Sequence, residues 1–255
     1  MGPEDHTFLA GEVRRLGLAQ NFDVANDALG SLRAGVTDGV GVVIACGTGF
    51  ATAARNRDGQ FWHGSFWLES LGGTELGHSA LRAVYRAELG IDPPTSLTAP
   101  ILTYFGQDSV EALLRLFTMQ GIPHPRYGQV SRLAPLVLQE CAQGDSAARA
   151  IVDDIAHRAV NYALVAARKV DLLGQPFTLV LNGGLFRDAG GILLAAIQAE
   201  LTGRAADVTL VRARYEPAVG ALLHAFDRAG LPLDNVRLAR IEATLPPNSL
   251  FATHT

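Results

Sequence analysis

The sequence has little cysteine, little net charge and no long hydrophobic run. Its two cysteines, Cys46 and Cys141, lie far apart and lack any spacing typical of a zinc site. Cys46 lies within an apolar run, so we expect a reduced thiol in the core. No apolar run approaches the roughly eighteen residues of a membrane span, and the sequence shows no signal-peptide pattern. The sequence therefore predicts a cytoplasmic protein.

The composition favours a folded protein with a large core. Hydrophobic residues make up 48% of the 255 residues, which is enough for one large domain or two small ones. The formal net charge of -4 and the isoelectric point near 6.0 give no overall attraction to nucleic acid or to an anionic membrane. We therefore expect neither of them as a partner.

The pattern of apolar residues predicts an α/β fold. The turn at residues 56–59 is typical of a β-hairpin, and the two prolines within 91–98 predict a loop there. We predict strands over 22–25, 41–46, 50–55, 60–63, 177–181 and 208–211, and helices over 5–18, 28–34, 79–89, 110–119, 132–142, 146–173, 191–201 and 216–228.

Two short polar motifs lie near the start of the sequence. Asn26-Asp27 joins a predicted strand to a predicted helix, and Gly47-Thr48-Gly49 follows an apolar strand. The Asp27 carboxylate either accepts a proton from a substrate hydroxyl or caps the helix that begins at Ala28, and the two roles are compatible. The glycine loop either brings backbone N–H groups to phosphate oxygens or forms an ordinary hairpin turn. The apolar strand before it favours the phosphate-binding role.

Two further motifs lie in the second half of the sequence. Asn182-Gly183-Gly184 stands between a predicted strand and a predicted helix, and a tight turn explains one glycine better than two. Glu216-Pro217 and Gly220 are expected to be structural, as a helix cap, a first-turn proline and a close helix contact.

Taken together, the motifs resemble the BadF/BadG/BcrA/BcrD ATPase family, which includes N-acetylglucosamine kinases and is part of the sugar kinase/Hsp70/actin superfamily. The resemblance covers about residues 3–231 and implies a ribonuclease H-like lobe of that fold with a helical insertion. The motifs occur in the family's order: Asn26-Asp27-Ala28-Leu29, Gly47-Thr48-Gly49, Leu181-Asn182-Gly183-Gly184-Leu185-Phe186 and Glu216-Pro217-Ala218-Val219-Gly220-Ala221.

The resemblance implies ATP-dependent phosphorylation of N-acetylglucosamine or a related amino sugar, with ATP and Mg²⁺ as cofactors. The implied partners are therefore small molecules, a sugar and a nucleotide. The resemblance assigns the catalytic base to Asp27, sugar binding to Asn26 and Asp27, phosphate binding to Gly47, Thr48 and Gly49, and adenosine binding to Asn182, Gly183 and Gly184.

One segment departs from the family's pattern. Members have a Gly-Asp pair followed by further glycines, whereas this sequence has Leu68-Glu69-Ser70-Leu71. Glu69 occupies the position of the aspartate, and a glutamate can hold Mg²⁺ through water. His63 and His78 flank the segment, but no third ligand lies at metal spacing, so we expect solvated loop histidines and no zinc site.

The start of the sequence departs from the pattern as well. The family's first phosphate loop, an Asp-x-Gly-Gly-Thr segment, has no counterpart in the 255 residues. We expect residues 1–38 to be a remnant of an N-terminal ATPase lobe, 39–230 to be a C-terminal lobe and 231–255 to be a tail. Loss of half of the ATP clamp predicts impaired phosphotransfer. Loss of the first lobe is expected to leave apolar surface around Ala28, Leu29, Val42 and Ile44 uncovered, which favours a homodimer or another partner.

Three hypotheses follow from these observations. The chain is an amino-sugar kinase, a non-catalytic remnant that binds nucleotide or sugar, or an oligomerisation or regulatory module that uses only the fold. The motifs favour the first hypothesis for the family, and the missing phosphate loop favours the second for the behaviour of this chain.

Overall fold

A five-stranded mixed sheet lies at the centre of the computed structural model, which describes residues 3–17, 19–64, 67, 69–119, 125, 127–187, 190–205 and 207–246. The strands are β1 Gly41–Cys46, β2 Phe50–Arg55, β3 Phe61–His63, β4 Phe177–Asn182 and β5 Val208–Arg212. Their order is β3-β2-β1-β4-β5. The first three strands pair antiparallel, whereas β1, β4 and β5 run parallel.

The helices cover both faces of this sheet. Most of them lie between β3 and β4 in the chain, as a helical insertion that includes the 24-residue α8. The α-helices of the described residues, inside and outside the insertion, are α1 Pro3–Leu16, α2 Asp27–Arg33, α3 Gly73–Glu88, α4 Thr98–Phe105, α5 Val110–Thr118, α6 Tyr127–Ser131, α7 Ala134–Ala142, α8 Ser146–Lys169, α9 Ile192–Leu201, α10 Pro217–Arg228 and α11 Asn235–Ala243.

The helical insertion packs on one face of the sheet and forms the main core. Alternation along β1 directs Val42, Ile44 and Cys46 to this face, and β4 contributes Leu179 and Leu181. Burial raises the pKa of the Cys46 thiol to about 12. Cys46 is a buried, free thiol, as expected, and Cys141 is buried as well.

Helix α2 covers the opposite face with a smaller cluster, and α10 packs against α2. Its buried members are Ala28 and Leu32 of α2 with one residue each from three strands, Val43, Ala53 and Val180. The strand residues are neighbours in register, because Val43 pairs with Ala53 and with Val180. This layer therefore rests on few side chains. The prediction of uncovered apolar surface is wrong for Ala28, Val42 and Ile44, which are buried within the chain.

Close backbone approach compensates for the small cluster. A Cβ atom on Gly220 would lie 1.8 Å from the carbonyl oxygen of Gly30, and one on Gly30 would lie 2.9 Å from that of Pro217. The guanidinium of Arg33 is nearly buried and binds both carboxylate oxygens of Asp227, at 2.7 and 3.2 Å. Gly220 thus makes the close helix contact that the sequence predicts.

Several predicted boundaries differ from the structure. Residues 22–25 are extended but form no strand, because no described strand lies beside them. The helix predicted over 79–89 begins at Gly73, since Gly72 is its N-cap with φ of 87°. Helix α4 begins at the last residue of the predicted loop and continues through residues for which no element was predicted, and α11 lies within the predicted tail. Of the departing segment, Leu68 lies outside the described residues.

Candidate functional site

The N-terminus of α2 presents the Asp27 carboxylate. Asn26 is the N-cap residue, and its side-chain oxygen accepts a hydrogen bond from the Ala28 N–H at 3.1 Å. The prediction that Asp27 caps this helix is therefore wrong, since Asn26 performs that role. Asp27 is the first helical residue and is exposed, and its carboxylate makes no hydrogen bond or ion pair within the described part of the chain.

His63 lies near Asp27 at the end of β3. It pairs with Ala53 in register and stacks on Phe61, with ring centroids 5.5 Å apart. Burial lowers the pKa of His63 below its ordinary value, and the Asp27 carboxylate acts in the opposite direction. The prediction of a solvated loop histidine is therefore wrong for His63, which is half-buried in a strand, and His78 is a residue of α3. The alternation of β3 was the signal for this position.

A groove of about 580 Å³ runs between residues 21–30 and α10, and we call it the α2–α10 groove. Its polar rim includes Asn26, Asp27 and, further along, Asp23, which forms an ion pair with Arg228 at 3.2 Å. Burial and the nearby Arg55 lower the pKa of His224 on its wall, against the charges of two aspartates. Apolar residues also line the groove, namely Phe22, Ala25, Leu29, Ala218, Ala221 and Ala225. A lining that combines apolar residues with a few polar groups suits small polar ligands.

The loop Gly47-Thr48-Gly49 is the hairpin turn between β1 and β2. Its carbonyl groups are held from behind by α3, because Gly73 N–H donates to Gly47 at 2.8 Å and Thr74 N–H to Thr48 at 3.0 Å. A Cβ atom on Gly47 or Gly49 would meet nothing within 4 Å, so the space around the turn is open. The structure therefore combines the hairpin with room for a ligand.

Glu69 is engaged in an ion-pair network. Its carboxylate accepts hydrogen bonds from Arg158 at 3.0 Å and from the Tyr162 hydroxyl at 3.1 Å. Arg158 also binds Asp154 at 2.8 Å. No group of three or more histidine, cysteine, aspartate or glutamate side chains among the described residues could hold a metal ion. The magnesium role of Glu69 stays a prediction that these contacts do not favour.

The turn after β4 has three differently placed residues. Asn182 is buried and donates to the backbone carbonyl of Ser31 in α2 at 3.3 Å. Gly183 has φ of 108°, and a Cβ there would lie 2.4 Å from the carbonyl oxygen of Cys46. Gly184 has open space around it and begins a short 3-10 helix. The first glycine is required by the fold, and the second is free to face a ligand.

A second cavity, of about 510 Å³, lies at the carboxyl ends of β4 and β5, and we call it the β4–β5 cavity. Asn182 and Gly183 line it together with three arginines that the sequence analysis did not select. Arg187 pairs with Glu216, and Arg214 pairs with Glu242 at 2.5 Å. Arg212 lines the same cavity and makes no ion pair within the described residues. A cavity at the carboxyl ends of parallel strands is the usual ligand position in open α/β sheets.

The structure thus divides the predicted site residues between neighbouring places. Asn26 and Asp27 line the α2–α10 groove, and Asn182 and Gly183 line the β4–β5 cavity. The glycine hairpin adjoins the cavity, because Gly183 packs on Cys46 immediately before it. Glu69 lies apart, on the side of α8.

Comparison with solved structures defines the class of fold. A candidate N-acetylglucosamine kinase of Chromobacterium violaceum superposes with a TM-score of 0.61 at 28% identity, over 87% of this chain and 72% of that one. A ROK family glucokinase of Streptomyces griseus, solved with glucose and AMPPNP, gives 0.52 at 16% identity over 85% and 70%. The chain has the actin-like ATPase fold of sugar kinases, which confirms the predicted fold class.

The family follows from the sequence. The profile of the BadF/BadG/BcrA/BcrD ATPase family matches residues 4–225, and the chain belongs to this family. N-acetyl-D-glucosamine kinase of Dictyostelium discoideum is 28% identical over 219 residues, covering 83% of this chain and 67% of that protein. N-acetylmuramic acid/N-acetylglucosamine kinase of Clostridium acetobutylicum is 22% identical over 72% and 61%. The chain thus spans about two thirds or less of the length of these relatives.

Within the described ranges, no helix combines the length and apolar character that a bilayer crossing requires.

Proposed function

We propose that the protein transfers a phosphoryl group from ATP to a hydroxyl group of N-acetylglucosamine or a related amino sugar. Family membership and the two kinase relatives support the reaction class. The observation that carries the proposal is the Asp27 carboxylate, which stands at the rim of the α2–α10 groove and is not used to cap its helix.

In the proposed reaction, Asp27 accepts or orients the proton of the attacking sugar hydroxyl. The hydroxyl oxygen forms a bond to the γ-phosphorus while the bond to the bridging oxygen breaks, and ADP leaves. Asn26 lies beside Asp27 and is assigned to sugar binding. Its capping bond fixes the start of α2 and therefore the direction of the neighbouring carboxylate.

We assign the nucleotide to the β4–β5 cavity and the hairpin. Open space at Gly47 and Gly49 supports an approach of phosphate oxygens, and Gly184 supports a close approach of the nucleoside. The guanidinium of Arg212 adds positive charge at the cavity. The described residues do not fit a protein-held Mg²⁺ ion, because Glu69 is bound to Arg158 and no carboxylate cluster is present among them. The proposal therefore assigns no step to such an ion.

The expected rate of this chain is low. The 255 residues contain no Asp-x-Gly-Gly-Thr segment, so the nucleotide phosphates would be held by one loop of the family's pair. Nucleotide binding without transfer is the alternative. A MgATP titration that shows binding, together with no ADP release when N-acetylglucosamine is added, would select it.

The test is ADP release by the full chain with MgATP and N-acetylglucosamine, compared between Asp27→Asn and Asp58→Asn. Asp58 is exposed in the β2–β3 hairpin and serves as a charge-matched control. We expect the rate of Asp27→Asn to fall about 100-fold or more, as for the loss of a general base, and that of Asp58→Asn to stay unchanged. Equal rates for both variants would reject Asp27 as the base.

Exposed apolar residues on two helices favour self-association. Phe8 and Leu16 of α1 and Leu222 of α10 are exposed apolar residues, and we propose that a second copy of the chain covers them. Sedimentation velocity of the full chain tests this, and a monomer at micromolar concentration contradicts it.

A cytoplasmic location accords with the use of ATP, and cell fractionation tests it.

A further inference from the structure

The last turn of α2 depends on a donor from the sheet. The final carbonyl groups of a helix have no partner within the helix. In α2, Gly30 accepts from the Ala34 N–H, and Leu32 accepts from the Gly35 and Val36 N–H groups at 3.0 and 3.2 Å. The carbonyl of Ser31 lies between these two and accepts instead from the side-chain N–H of Asn182. An amide on β4 therefore completes the hydrogen bonding of α2.

This contact is buried at both ends. Asn182 and Ser31 are each 4% exposed, so water does not replace the bond if the donor is removed. Asn182 is also fixed in place, because β4 pairs it with Ala45 and the following Gly183 packs on the Cys46 carbonyl. A rigid strand end thus holds a short helix.

The geometry of α2 transmits this restraint to Asp27. The helix has seven residues, and Asp27 precedes Ser31 by one turn, or about 6 Å at the rise of an α-helix. A helix this short has little stability of its own and takes its position from its contacts. A shift of α2 on the sheet would therefore move the carboxylate along the groove.

We propose that Asn182 is a positioning residue, whose side-chain amide seats α2 on β4 and thereby sets the place of Asp27. This role differs from the adenosine contact that the family resemblance implies for Asn182. Only the consequence for Asp27 rests on the proposed kinase function, because the seating of α2 is a property of the fold.

The main experiment compares hydrogen–deuterium exchange of α2 in Asn182→Asp and Asn56→Asp. Asn56 is a matched control because it is buried and its side-chain N–H also donates to a backbone carbonyl, that of Val170 at 3.0 Å. It directly follows the last residue of β2, at the end of that strand away from Asn182. We expect exchange of the α2 amides to become about 10-fold faster in Asn182→Asp and to stay unchanged in Asn56→Asp. Unchanged α2 exchange in Asn182→Asp would overturn the proposal.

A MgATP titration separates the two roles of Asn182. Because a carboxylate in this cavity would repel the nucleotide phosphates, the titration uses Asn182→Ser, and we expect its dissociation constant to stay within about twofold of the wild type. A tenfold weaker affinity with normal α2 exchange would instead establish a nucleotide contact and reject positioning. If Asn182→Asp does not fold, Asn182→Ser replaces it in the exchange experiment, since the shorter hydroxyl cannot span the distance to Ser31.

Kinetic measurements test whether the position of α2 affects catalysis. Where ADP release is measurable, we expect Asn182→Ser, which adds no charge beside the nucleotide, to lower kcat and to leave the KM for ATP unchanged. An unchanged kcat together with faster α2 exchange would overturn the effect on Asp27. If the wild type shows no turnover, the proposed function fails, and the exchange experiment still decides whether Asn182 seats α2.

Discussion

The two faces of the sheet are built in different ways. The face under the helical insertion is covered by a large cluster of buried apolar residues, which includes Ile155 of α8 and Leu193 of α9. Among the described residues, the face under α2 has five buried apolar residues, an ion pair of which only Arg33 is nearly buried, and two glycines at the crossing of α2 and α10. The candidate substrate residues lie on this second face.

The two faces are stabilised in different ways, one by a large area of buried apolar surface and the other by a few specific contacts. On the large face, each side chain contributes a share of apolar burial, and a neighbour can adjust to a small change. On the α2 face, a few contacts between backbone atoms and charged groups set the positions of the helices. Such contacts tolerate little change, but they hold Asn26 and Asp27 in defined places, as a binding site requires.

The largest expected effect comes from the helix crossing. Gly220→Ala places a methyl group 1.8 Å from the Gly30 carbonyl oxygen, so α10 must move away from α2. We expect a loss of about 3 kcal/mol or more in the free energy of unfolding, measured in urea. The control is Gly11→Ala in α1, where a methyl group meets nothing within 4 Å. A similar loss in both variants would show that the crossing is not specially tight.

A smaller effect is expected for the ion pair of the α2 face. Arg33→Met leaves the Asp227 carboxylate, which is 38% exposed, without its bidentate partner. Because one partner is nearly buried, we expect a loss of about 2 kcal/mol in the free energy of unfolding. The control is Arg115→Met in the insertion, where both partners are well exposed and the expected loss is about 0.5 kcal/mol or less. Equal losses would remove the contrast between the two faces.

The smallest expected effect is a change in the titration of His63. Removal of the Asp27 charge in Asp27→Asn removes the influence that raises the pKa of His63, while burial continues to lower it. We therefore expect the imidazole to titrate at lower pH in Asp27→Asn than in the wild type, measured by NMR of the ring protons. Asp58→Asn is expected to leave this titration unchanged. If Asp27→Asn also leaves it unchanged, the two side chains are not neighbours in solution.

Local patterns predicted much of the sheet. The strands at 41–46 and 50–55 have the predicted bounds, because alternation and turn chemistry are properties of adjacent residues. The strand predicted at 22–25 shows the opposite case, since a strand also needs a neighbour that local sequence does not contain. Helix α11 lies in a segment of weak apolar pattern and was predicted as a tail.

Motifs predicted part of the candidate site, and the rest could not be predicted from the sequence. Asp27 and the glycine hairpin were selected by residue type and spacing. The burial of Arg33 depends on Asp227, which is 194 residues away in the sequence, and no local pattern indicates that pair. The direction of the Asn182 side chain follows from the alternation of β4, but its partner Ser31 is known only once α2 is placed on the sheet.

The parallel pairing of β1 with β4 has a consequence for the order of folding. The entire helical insertion lies between these neighbouring strands in the chain, whereas β1, β2 and β3 are joined by short turns. Closure of a long loop is slower than formation of local hairpins, so we expect β4 to join the sheet late. The contacts of α2 with the sheet include Val180 and Asn182 of β4. We therefore expect the groove around Asp27 to be completed only after the insertion has folded, so the proposed sugar binding should appear among the last events of refolding.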